Sequence, residues 1–294
     1  MAYSFYPGCS MEATGKAYLV SLEAVSHALG LELKEIPDWN CCGATVSANA
    51  IGDLPQLAMT ARNLALAEPA GNDIVVGCSS CYLNMAWANE KFKTDARFRS
   101  QVSEALGAAG LKYEGGLRVR HLIDVLVNDI GLDNLKARTI KPLAGMKIAC
   151  YSGCQTVRAI RRRDFDNVEY PVMLSRIVEA LGATPVPFPA AARCCGGSQQ
   201  FTRVELIHEL TGYVLETAAK NGAEAIVTPC PMCHMNTDVY QAEINRVKGT
   251  NYYLPVFFLT QLIGLAFDLK PKDLGFSFNV VSPDKLFAKH NIKN

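Results

Sequence analysis

Two stretches of the chain share one pattern, IVVGCSSCYLN (Ile74–Asn84) and IVTPCPMCHMN (Ile226–Asn236). Outward from them, two further motifs recur in the same order, CCGA (Cys41–Ala44) with CCGG (Cys194–Gly197), and AYSFYPGC (Ala2–Cys9) with KIACYSGC (Lys147–Cys154). The copies are offset by 145 residues at the first cysteine, 153 at the adjacent pair and 152 at the C-x-x-C pair. Because this spacing is nearly constant across half the chain, the sequence predicts an internal duplication.

Ten of the eleven cysteines belong to the duplicated pattern, five in each copy. The first set is Cys9, Cys41, Cys42, Cys78 and Cys81. The second set is Cys154, Cys194, Cys195, Cys230 and Cys233. We predict two domains, residues 1–140 and 141–294, each carrying one set. A domain of about 140 residues is large enough to bury a core of its own.

The composition is that of an ordinary globular protein. Hydrophobic residues make up 49% of the chain, and the basic and acidic residues balance to a net charge of +1. This balance gives no electrostatic footprint for nucleic-acid binding. The opening residues, MAYSFYPGCS, lack the basic and apolar segments of a secretory signal. We therefore expect a cytoplasmic protein whose thiols are reduced rather than paired in disulfides.

The longest apolar stretch is YYLPVFFLTQLIGLAF (Tyr252–Phe267), which has 16 residues and contains Pro255 and Gln261. A helix that spans a bilayer needs roughly 20 predominantly apolar residues. We therefore predict no transmembrane segment, and interpret this stretch as a buried or interface helix.

Apolar strand-like runs alternate with amphipathic helical runs in each copy. In the first copy, we predict a helix over about Thr14–Leu29, a strand over Leu31–Ile36 and a helix over about Leu54–Ala67. A further strand, Asp73–Val76, leads directly to Cys78. This alternation predicts an α/β fold in which each copy forms a small, mainly parallel sheet flanked by helices. Because ligands of such sheets collect at the carboxyl ends of the strands, we expect one thiol site in each copy.

Clustered thiols of this kind bind zinc, bind iron–sulfur clusters or carry out dithiol redox chemistry. A structural zinc ion takes four ligands, usually as two C-x-x-C-like pairs. Each set here has five thiols and one such pair, and its adjacent cysteines bend poorly around one small ion. The pattern therefore favours iron–sulfur clusters over zinc.

The order C, CC-G and C-x-x-C resembles the CCG cysteine-rich domain, and two copies in one chain resemble the B subunit of heterodisulfide reductase. The resemblance covers essentially the whole chain and implies two tandem, pseudo-twofold-related CCG domains. It implies that each set of five cysteines holds one non-cubane 4Fe-4S cluster. In the family, the two clusters face a shared pocket, where a disulfide is reductively cleaved or, in reverse, formed from two thiols.

Electrons must reach such a site from another protein, because the sequence contains no G-x-G-x-x-G fingerprint and no Walker A motif. The resemblance implies two partners, a ferredoxin-like iron–sulfur protein that is the C subunit of the complex and a flavoprotein that is its A subunit. Two other functions stay open. One is a sulfur-oxidising complex that handles sulfane sulfur on a carrier, and the other is a non-catalytic electron relay or zinc scaffold.

Several residues outside the two sets are also candidates. Methanogen relatives often place histidine after the cysteine that opens the second copy, whereas this chain has Gln155, which hydrogen-bonds but supplies no proton. His234 is a candidate proton donor, with a structural histidine as the alternative. Cys150, the eleventh cysteine, is predicted to pack in the core. Candidates for binding anionic substrate tails, or else a solvated or partner-binding face, are Arg158, Arg161, Arg162 and Arg163.

Overall fold

Two four-stranded parallel sheets form the framework of the protein, one from each copy of the repeat. The computed structural model describes residues 1–44, 53–158, 166–200 and 202–293. The first sheet contains β1 (Ala2–Tyr6), β2 (Glu32–Glu35), β3 (Ile74–Val76) and β4 (Val119–His121). The second contains β5 (Lys147–Cys150), β6 (Thr184–Pro185), β7 (Ala225–Thr228) and β8 (Val256–Phe258). The strand orders β2-β1-β3-β4 and β6-β5-β7-β8 are equivalent, so the predicted α/β fold is confirmed.

The central strands have the composition of strands that are covered on both faces. Strands β3 (IVV) and β7 (AIVT) are buried along their whole length, as is usual for parallel sheets packed between helices. In register, Phe5 lies opposite Val75, and Ala149 lies opposite Ile226. The edge strand β2 (ELKE) is mostly exposed, and its charged side chains disfavour pairing with another chain.

The helices of the first copy include those predicted from the sequence. They are α1 (Cys9–Glu12), α2 (Lys16–Leu29), α3 (Asp53–Ala67), α4 (Ser79–Thr94), α5 (Ala96–Ala108), α6 (Leu122–Asp124) and α7 (Leu132–Ala137). A π-helical segment, Val125–Gly131, joins α6 to α7. Helices α2 and α3 match the predicted helices closely. Helix α2 ends at Gly30, where φ is 68° and the backbone N–H bonds to the carbonyl of His27, a common helix stop.

The second copy repeats this arrangement. They are α8 (Cys154–Arg158), α9 (Met173–Ala180), α10 (Val204–Lys220), α11 (Pro231–Val239), α12 (Gln241–Lys248), α13 (Leu259–Ala266) and α14 (Asp284–Lys289). The apolar stretch Tyr252–Phe267 contains β8 and α13, and every residue of α13 is buried. In the part of the chain that the structure describes, no helix has the length and apolar character needed to cross a membrane.

The two copies share their cores. One hydrophobic cluster contains Leu22 of α2 and Leu262 of α13, and the other contains Leu64 of α3 and Leu215 of α10. The prediction that each copy buries a core of its own is therefore wrong. The boundary between residues 140 and 141 stays a prediction.

Packing of helices from one copy against helices of the other explains the shared cores. Helix α2 of the first copy packs against α13 of the second, and α9 of the second copy packs against α7 of the first. At the α2–α13 contact, the hydroxyls of Ser21 and Thr260 hydrogen-bond at 2.6 Å. Next to them, the rings of Tyr18 and Phe258 stack with centroids 4.6 Å apart. Each copy thus covers apolar surface of the other.

We predict that Gly264→Ala destabilises the protein by about 1–3 kcal/mol, the usual cost of overpacking a core. A Cβ at Gly264 in α13 would lie 2.3 Å from Cδ2 of Leu274, which is fully buried. The matched control is Gly107→Ala in α5, where no atom lies within 4 Å of the added Cβ. That change should be neutral or stabilise by up to about 1 kcal/mol. Urea denaturation measures both, and equal effects would contradict the close packing of α13.

Candidate metal centre

The three cysteine groups of each copy lie just beyond the carboxyl ends of its strands. In the first copy, Cys9 follows β1, the pair Cys41 and Cys42 follows β2, and Cys78 follows β3. Because these strands are parallel and adjacent, their ends meet at one edge of the sheet. The structure therefore brings together thiols that are 72 residues apart in the sequence, at Cys9 and Cys81.

Sulfur contacts connect the thiols within each set. In the first set, the Sγ atoms of Cys42 and Cys81 are 3.2 Å apart, and Cys41 hydrogen-bonds with Cys9 and Cys42. The second set repeats these contacts. There, the Sγ atoms of Cys195 and Cys233 are 3.8 Å apart, and Cys154 hydrogen-bonds with Cys194.

One end of each set is open to solvent and the other is buried. Cys9, Cys41 and Cys194 are exposed, and Cys154 is half-buried. The remaining thiols are buried, at Cys42, Cys78, Cys81, Cys195, Cys230 and Cys233. None of the cysteines forms a disulfide, as predicted.

Buried side chains hold the adjacent cysteines in the same way in both copies. The carbonyl oxygen of Cys42 accepts hydrogen bonds from Thr60 Oγ1 at 3.0 Å and Asn84 Nδ2 at 2.8 Å. In the second copy, Thr211 Oγ1 at 2.9 Å and Asn236 Nδ2 at 3.0 Å donate to the carbonyl of Cys195. These supporting residues were not predicted, although the asparagines recur within the repeated sequence motifs.

In each copy, one tyrosine fixes the loop that precedes the two adjacent cysteines. Tyr6 donates to the carbonyl of Asn40 at 2.7 Å, and Tyr151 donates to the carbonyl of Arg193 at 2.8 Å. Both tyrosines are completely buried. Each acceptor immediately precedes the first cysteine of its pair, so the two loops are anchored alike.

A glycine in each copy lets the backbone pass close to a thiol. Gly8 has φ +72°, and a Cβ there would lie 3.0 Å from the Sγ of Cys81. Gly153 has φ +74°, and its Cβ would lie 2.8 Å from the Sγ of Cys233. Positive φ and the lack of space both require glycine at these positions.

The two sets meet where the copies contact each other. The thiols of Cys78 and Cys230, which are the first cysteines of the two C-x-x-C pairs, are neighbours, and each shifts the pKa of the other. A cavity of about 50 Å³ lies beside them. Its walls come from both copies: Ala44, Ser79, Ser80, Cys154, Gln155, Cys194, Cys195, Gly197, Ser198, Cys230, Met232 and Cys233.

The surroundings of the thiols favour negative charge on some of the sulfurs. Hydrogen bonds from the thiols of Cys42 and Cys9 lower the pKa of Cys41 to about 2. Hydrogen bonds from Cys233 and Cys78 hold the pKa of Cys230 well below its usual range. Cys230 is also the N-cap residue of α11, where the helix dipole favours a thiolate. At Cys78, the N-cap residue of α4, the neighbouring Cys230 instead raises the pKa.

The five thiols of each copy fit the ligands of an iron–sulfur cluster. Thiolates are the ligands of such clusters, and each copy supplies five thiols, a glycine that clears space beside one of them, and solvent access at one end. Among the described residues, no three cysteine, histidine or acidic side chains are grouped so that they could hold one metal ion. The ligand assignment of all ten cysteines stays a prediction.

Of the other predicted residues, Gln155 lines the cavity. Cys150 is buried in β5, where burial raises its pKa to about 12, consistent with the predicted core role. Arg158 ends helix α8. The other three arginines, at positions 161–163, lie outside the described residues.

His234 is buried against the sheet of the second copy. Its ring stacks on Phe258 with centroids 3.9 Å apart, and its Nε2 atom hydrogen-bonds with the carbonyl of Val256 at 3.0 Å. Burial lowers its pKa to about 4, so the ring is neutral at pH 7. In the first copy, the residues equivalent to His234 and Phe258 are Tyr82 and His121. Their rings contact each other edge to face. A role for His234 as a proton donor stays a prediction.

Residues 3–86 and 148–238 match the family described as the CCG cysteine-rich domain. The chain belongs to this family and contains two copies of its domain. The chain is also homologous to the B subunits of heterodisulfide reductases, as the sequence analysis predicted.

Two relatives are similar to the chain over almost its whole length. The 8-methylmenaquinol:fumarate reductase membrane anchor subunit of Wolinella succinogenes is 34% identical, and the match covers 97% of this chain and 98% of that protein. The B subunit of the Ferredoxin/F(420)H(2)-dependent CoB-CoM heterodisulfide reductase of Methanosarcina acetivorans is 31% identical, with coverage of 97% and 92%.

A solved structure supports the fold. The crystal structure of a hypothetical protein from Helicobacter pylori superposes with a TM-score of 0.75 at 15% identity. The match covers 96% of this chain and 52% of that one, so this chain spans about half the length of that protein. At this level of identity, the likeness concerns the fold alone.

We predict that Gly8→Ala removes the metal of the first set, because the added Cβ would displace the thiol of Cys81. The control is Gly30→Ala, which has a similar φ of +68° but no atom within 4 Å of its Cβ. Both variants carry the same kind of backbone strain, of order 1–2 kcal/mol. After anaerobic reconstitution, we expect the metal content per chain to fall by about half in Gly8→Ala, because one of the two sets is affected, and to stay unchanged in Gly30→Ala. Equal metal content in the two variants would show that the glycine contact is unimportant.

Proposed function

We propose that this protein is the iron–sulfur catalytic subunit of a heterodisulfide reductase or heterodisulfide reductase-like complex. The observation that carries the proposal is that two equivalent five-cysteine sets are neighbours at Cys78 and Cys230, beside a cavity lined by the five cysteines of the second set. Each set would hold one non-cubane 4Fe-4S cluster, the first in residues 1–140 and the second in residues 141–294. The homology to the B subunits of heterodisulfide reductases supports the same function.

The reaction cleaves one S–S bond, with two electrons and two protons converting one disulfide into two thiols. When bound, the two clusters would supply the electrons one at a time. The electrons come from a reduced ferredoxin-like iron–sulfur protein, the C subunit, itself supplied by a flavoprotein, the A subunit, and the protons come from water. Run in reverse, the same balance joins two thiols into one disulfide and releases two electrons and two protons. A sulfur-oxidising complex that acts on carrier-bound sulfane sulfur would likewise have to pass the electrons it releases to a partner.

Two observations support this chemistry. Cys230, which lines the cavity, lies at the N-terminus of α11, where the helix dipole stabilises negative charge on sulfur, and its pKa lies well below the usual range. This favours a thiolate over a neutral thiol at the moment when the S–S bond breaks. The eleven free thiols are compatible with a reducing compartment such as the cytoplasm.

A second candidate is an electron relay without a disulfide substrate. It is favoured by the 34% identity to the fumarate reductase subunit of Wolinella succinogenes, which matches nearly end to end. In that case the same two sets would pass electrons to or from a partner, and the cavity would bind no disulfide. Disulfide turnover distinguishes the two candidates.

The first test of the proposal is the metal content of anaerobically purified protein. We expect a brown protein with about eight irons and eight sulfides per chain, because the two thiolate sets would each hold a four-iron cluster. Iron and acid-labile sulfide analysis, with visible and EPR spectroscopy, makes the measurement. A colourless protein with two zinc ions would contradict the cluster assignment.

The second test asks whether disulfide reduction needs both sets. Cys41→Ser and Cys194→Ser should each remove one cluster signal, and the rest of the chain should stay folded because both thiols are exposed rather than part of the core. We expect each variant to lose single-turnover disulfide reduction by at least about 100-fold, the size of a lost catalytic group. The matched control is Cys150→Ala, which removes a buried thiol outside both sets and should keep both signals. Normal turnover by Cys194→Ser would favour the relay function.

A further inference from the structure

Three large apolar side chains are grouped on the surface beside the C-terminal part of the chain. Tyr253, Phe278 and Val280 are between 50% and 63% exposed. Two lysines lie over the rings, with Lys285 Nζ 5.0 Å from the centroid of Tyr253 and Lys16 Nζ 5.7 Å from that of Phe278. We call these five residues the C-terminal patch. Exposed apolar side chains that are grouped and rimmed by polar groups mark interaction sites.

Hydrogen bonds from buried groups hold the C-terminal patch in one arrangement. The buried carboxylate of Asp238 in α11 accepts from the backbone N–H of Val280 at 2.7 Å and from that of the next residue at 3.0 Å. Asn279 Nδ2 donates at 2.6 Å to the carbonyl of Val256, three residues after Tyr253. The segment that carries the apolar side chains is thus fixed against α11 and β8. A surface that is already ordered loses little conformational freedom when a partner binds.

The charge of the C-terminal patch is positive. Neither Lys16 nor Lys285 forms an ion pair with another described residue. The segment from residue 268 to residue 293 contains five lysines and three aspartates. A partner that carries carboxylates on its docking face is therefore complementary to this surface.

An acidic partner is disfavoured at the exposed thiols of the first set. The groove beside the loop that leads to Cys41 is lined by Glu12, Glu35 and Asp38. Of these three, only Asp38 pairs with a described basic residue, Arg62. Like charges would repel an acidic protein there, whereas the C-terminal patch would attract it.

Helix α11, which carries a thiol of the second set, lies directly behind the C-terminal patch. Asn279, between Phe278 and Val280 in the chain, has its Nδ2 atom 3.4 Å from Nε2 of His234. His234 is bonded through the backbone to Cys233. Two side chains therefore separate the surface from a residue that is joined to a buried cysteine. Because electron transfer slows steeply with distance, a donor bound at this surface is well placed to supply the second set.

We propose that the C-terminal patch is the docking surface for the one-electron donor, a small protein with carboxylates around its redox centre. The inference rests on the proposed function, because it names the surface through which that reaction receives its electrons. At each encounter, the donor loses one electron and this protein gains one, so two encounters supply the electrons that cleave one disulfide. A protein partner is favoured over a membrane, because membrane-surface contacts are typically made by one face of an amphipathic helix, whereas Phe278 and Val280 lie on a short 3-10 turn and the loop after it.

The first test measures binding between the oxidised holoprotein and a bacterial two-cluster 4Fe-4S ferredoxin, a small acidic protein, by calorimetry. The dissociation constant should rise with salt concentration, because opposite charges meet at the contact. In the double variant Lys16→Glu with Lys285→Glu, we expect it to rise at least about 10-fold, because attraction becomes repulsion. In Phe278→Ser with Val280→Ser, we expect a rise of about 10-fold from the lost apolar contacts.

The matched control is Lys91→Glu with Lys112→Glu, which makes the same charge change in the first copy. Lys91 also lies over a ring, 5.1 Å from the centroid of Phe98, and Lys112 is exposed. This variant should bind ferredoxin within about twofold of the wild type, because charges away from a contact are largely screened. Iron content and thermal unfolding are measured for every variant, so that loss of the fold is not mistaken for loss of docking.

Electron uptake is the second measurement. Chemically reduced ferredoxin should reduce the wild-type protein, and the two patch variants should slow this step about 10-fold when ferredoxin is below its dissociation constant. Reduction by the methyl viologen radical, a small donor that needs no docking surface, should be the same in all variants.

Equal ferredoxin binding by the patch variants and the control would overturn the assignment, and so would absence of binding to the wild-type protein. Binding of wild-type protein to anionic phospholipid vesicles that is lost in the patch variants, with unchanged ferredoxin binding, would assign the surface to a membrane instead. Disulfide turnover tests the proposed function separately. Ferredoxin binding that depends on the C-terminal patch, in a protein that cleaves no disulfide, would support the docking surface and contradict the proposed reaction.

Discussion

The common direction of adjacent parallel strands is the constraint on which the site depends. Strands β1, β2 and β3 run the same way, so the loops that follow them leave the sheet at one edge. Cysteines placed just after each strand must then meet, however far apart they are in the sequence. Short hydrogen bonds from buried Thr60 and Asn84 fix the loop that carries the adjacent pair. The fold itself therefore selects which thiols come together.

Packing between helices of the two copies is the second constraint on the site. Because α2 packs on α13 and α9 packs on α7, neither sheet is covered by its own copy alone. This packing brings the N-termini of α4 and α11 together, and with them the thiols of Cys78 and Cys230. The two thiol sets are consequently neighbours at one contact between the copies rather than two separate sites.

Much of this arrangement could be predicted from the sequence, because the cysteines recur at nearly constant offsets and follow strand-like runs. The parallel sheets, the helices α2 and α3 and the grouping of five thiols in each copy follow from those patterns. The shared cores could not be predicted, since the apolar face of α2 does not reveal whether its partner belongs to the same copy. The orientation of His234 was equally hidden, because a histidine next to a cysteine can point into the site or, as here, toward the carbonyl of Val256.

Equivalent positions of the two copies carry different residues where the copies meet, and this has a consequence for how such a protein can evolve. In a dimer of identical chains, every residue near the twofold axis occurs twice, so a serine that improves one side is imposed on the other. Joining both copies in one gene removes that restriction. Position 80 can then be serine while its counterpart at position 232 is methionine. A single chain of this kind can therefore present different side chains on the two sides of the contact between its copies.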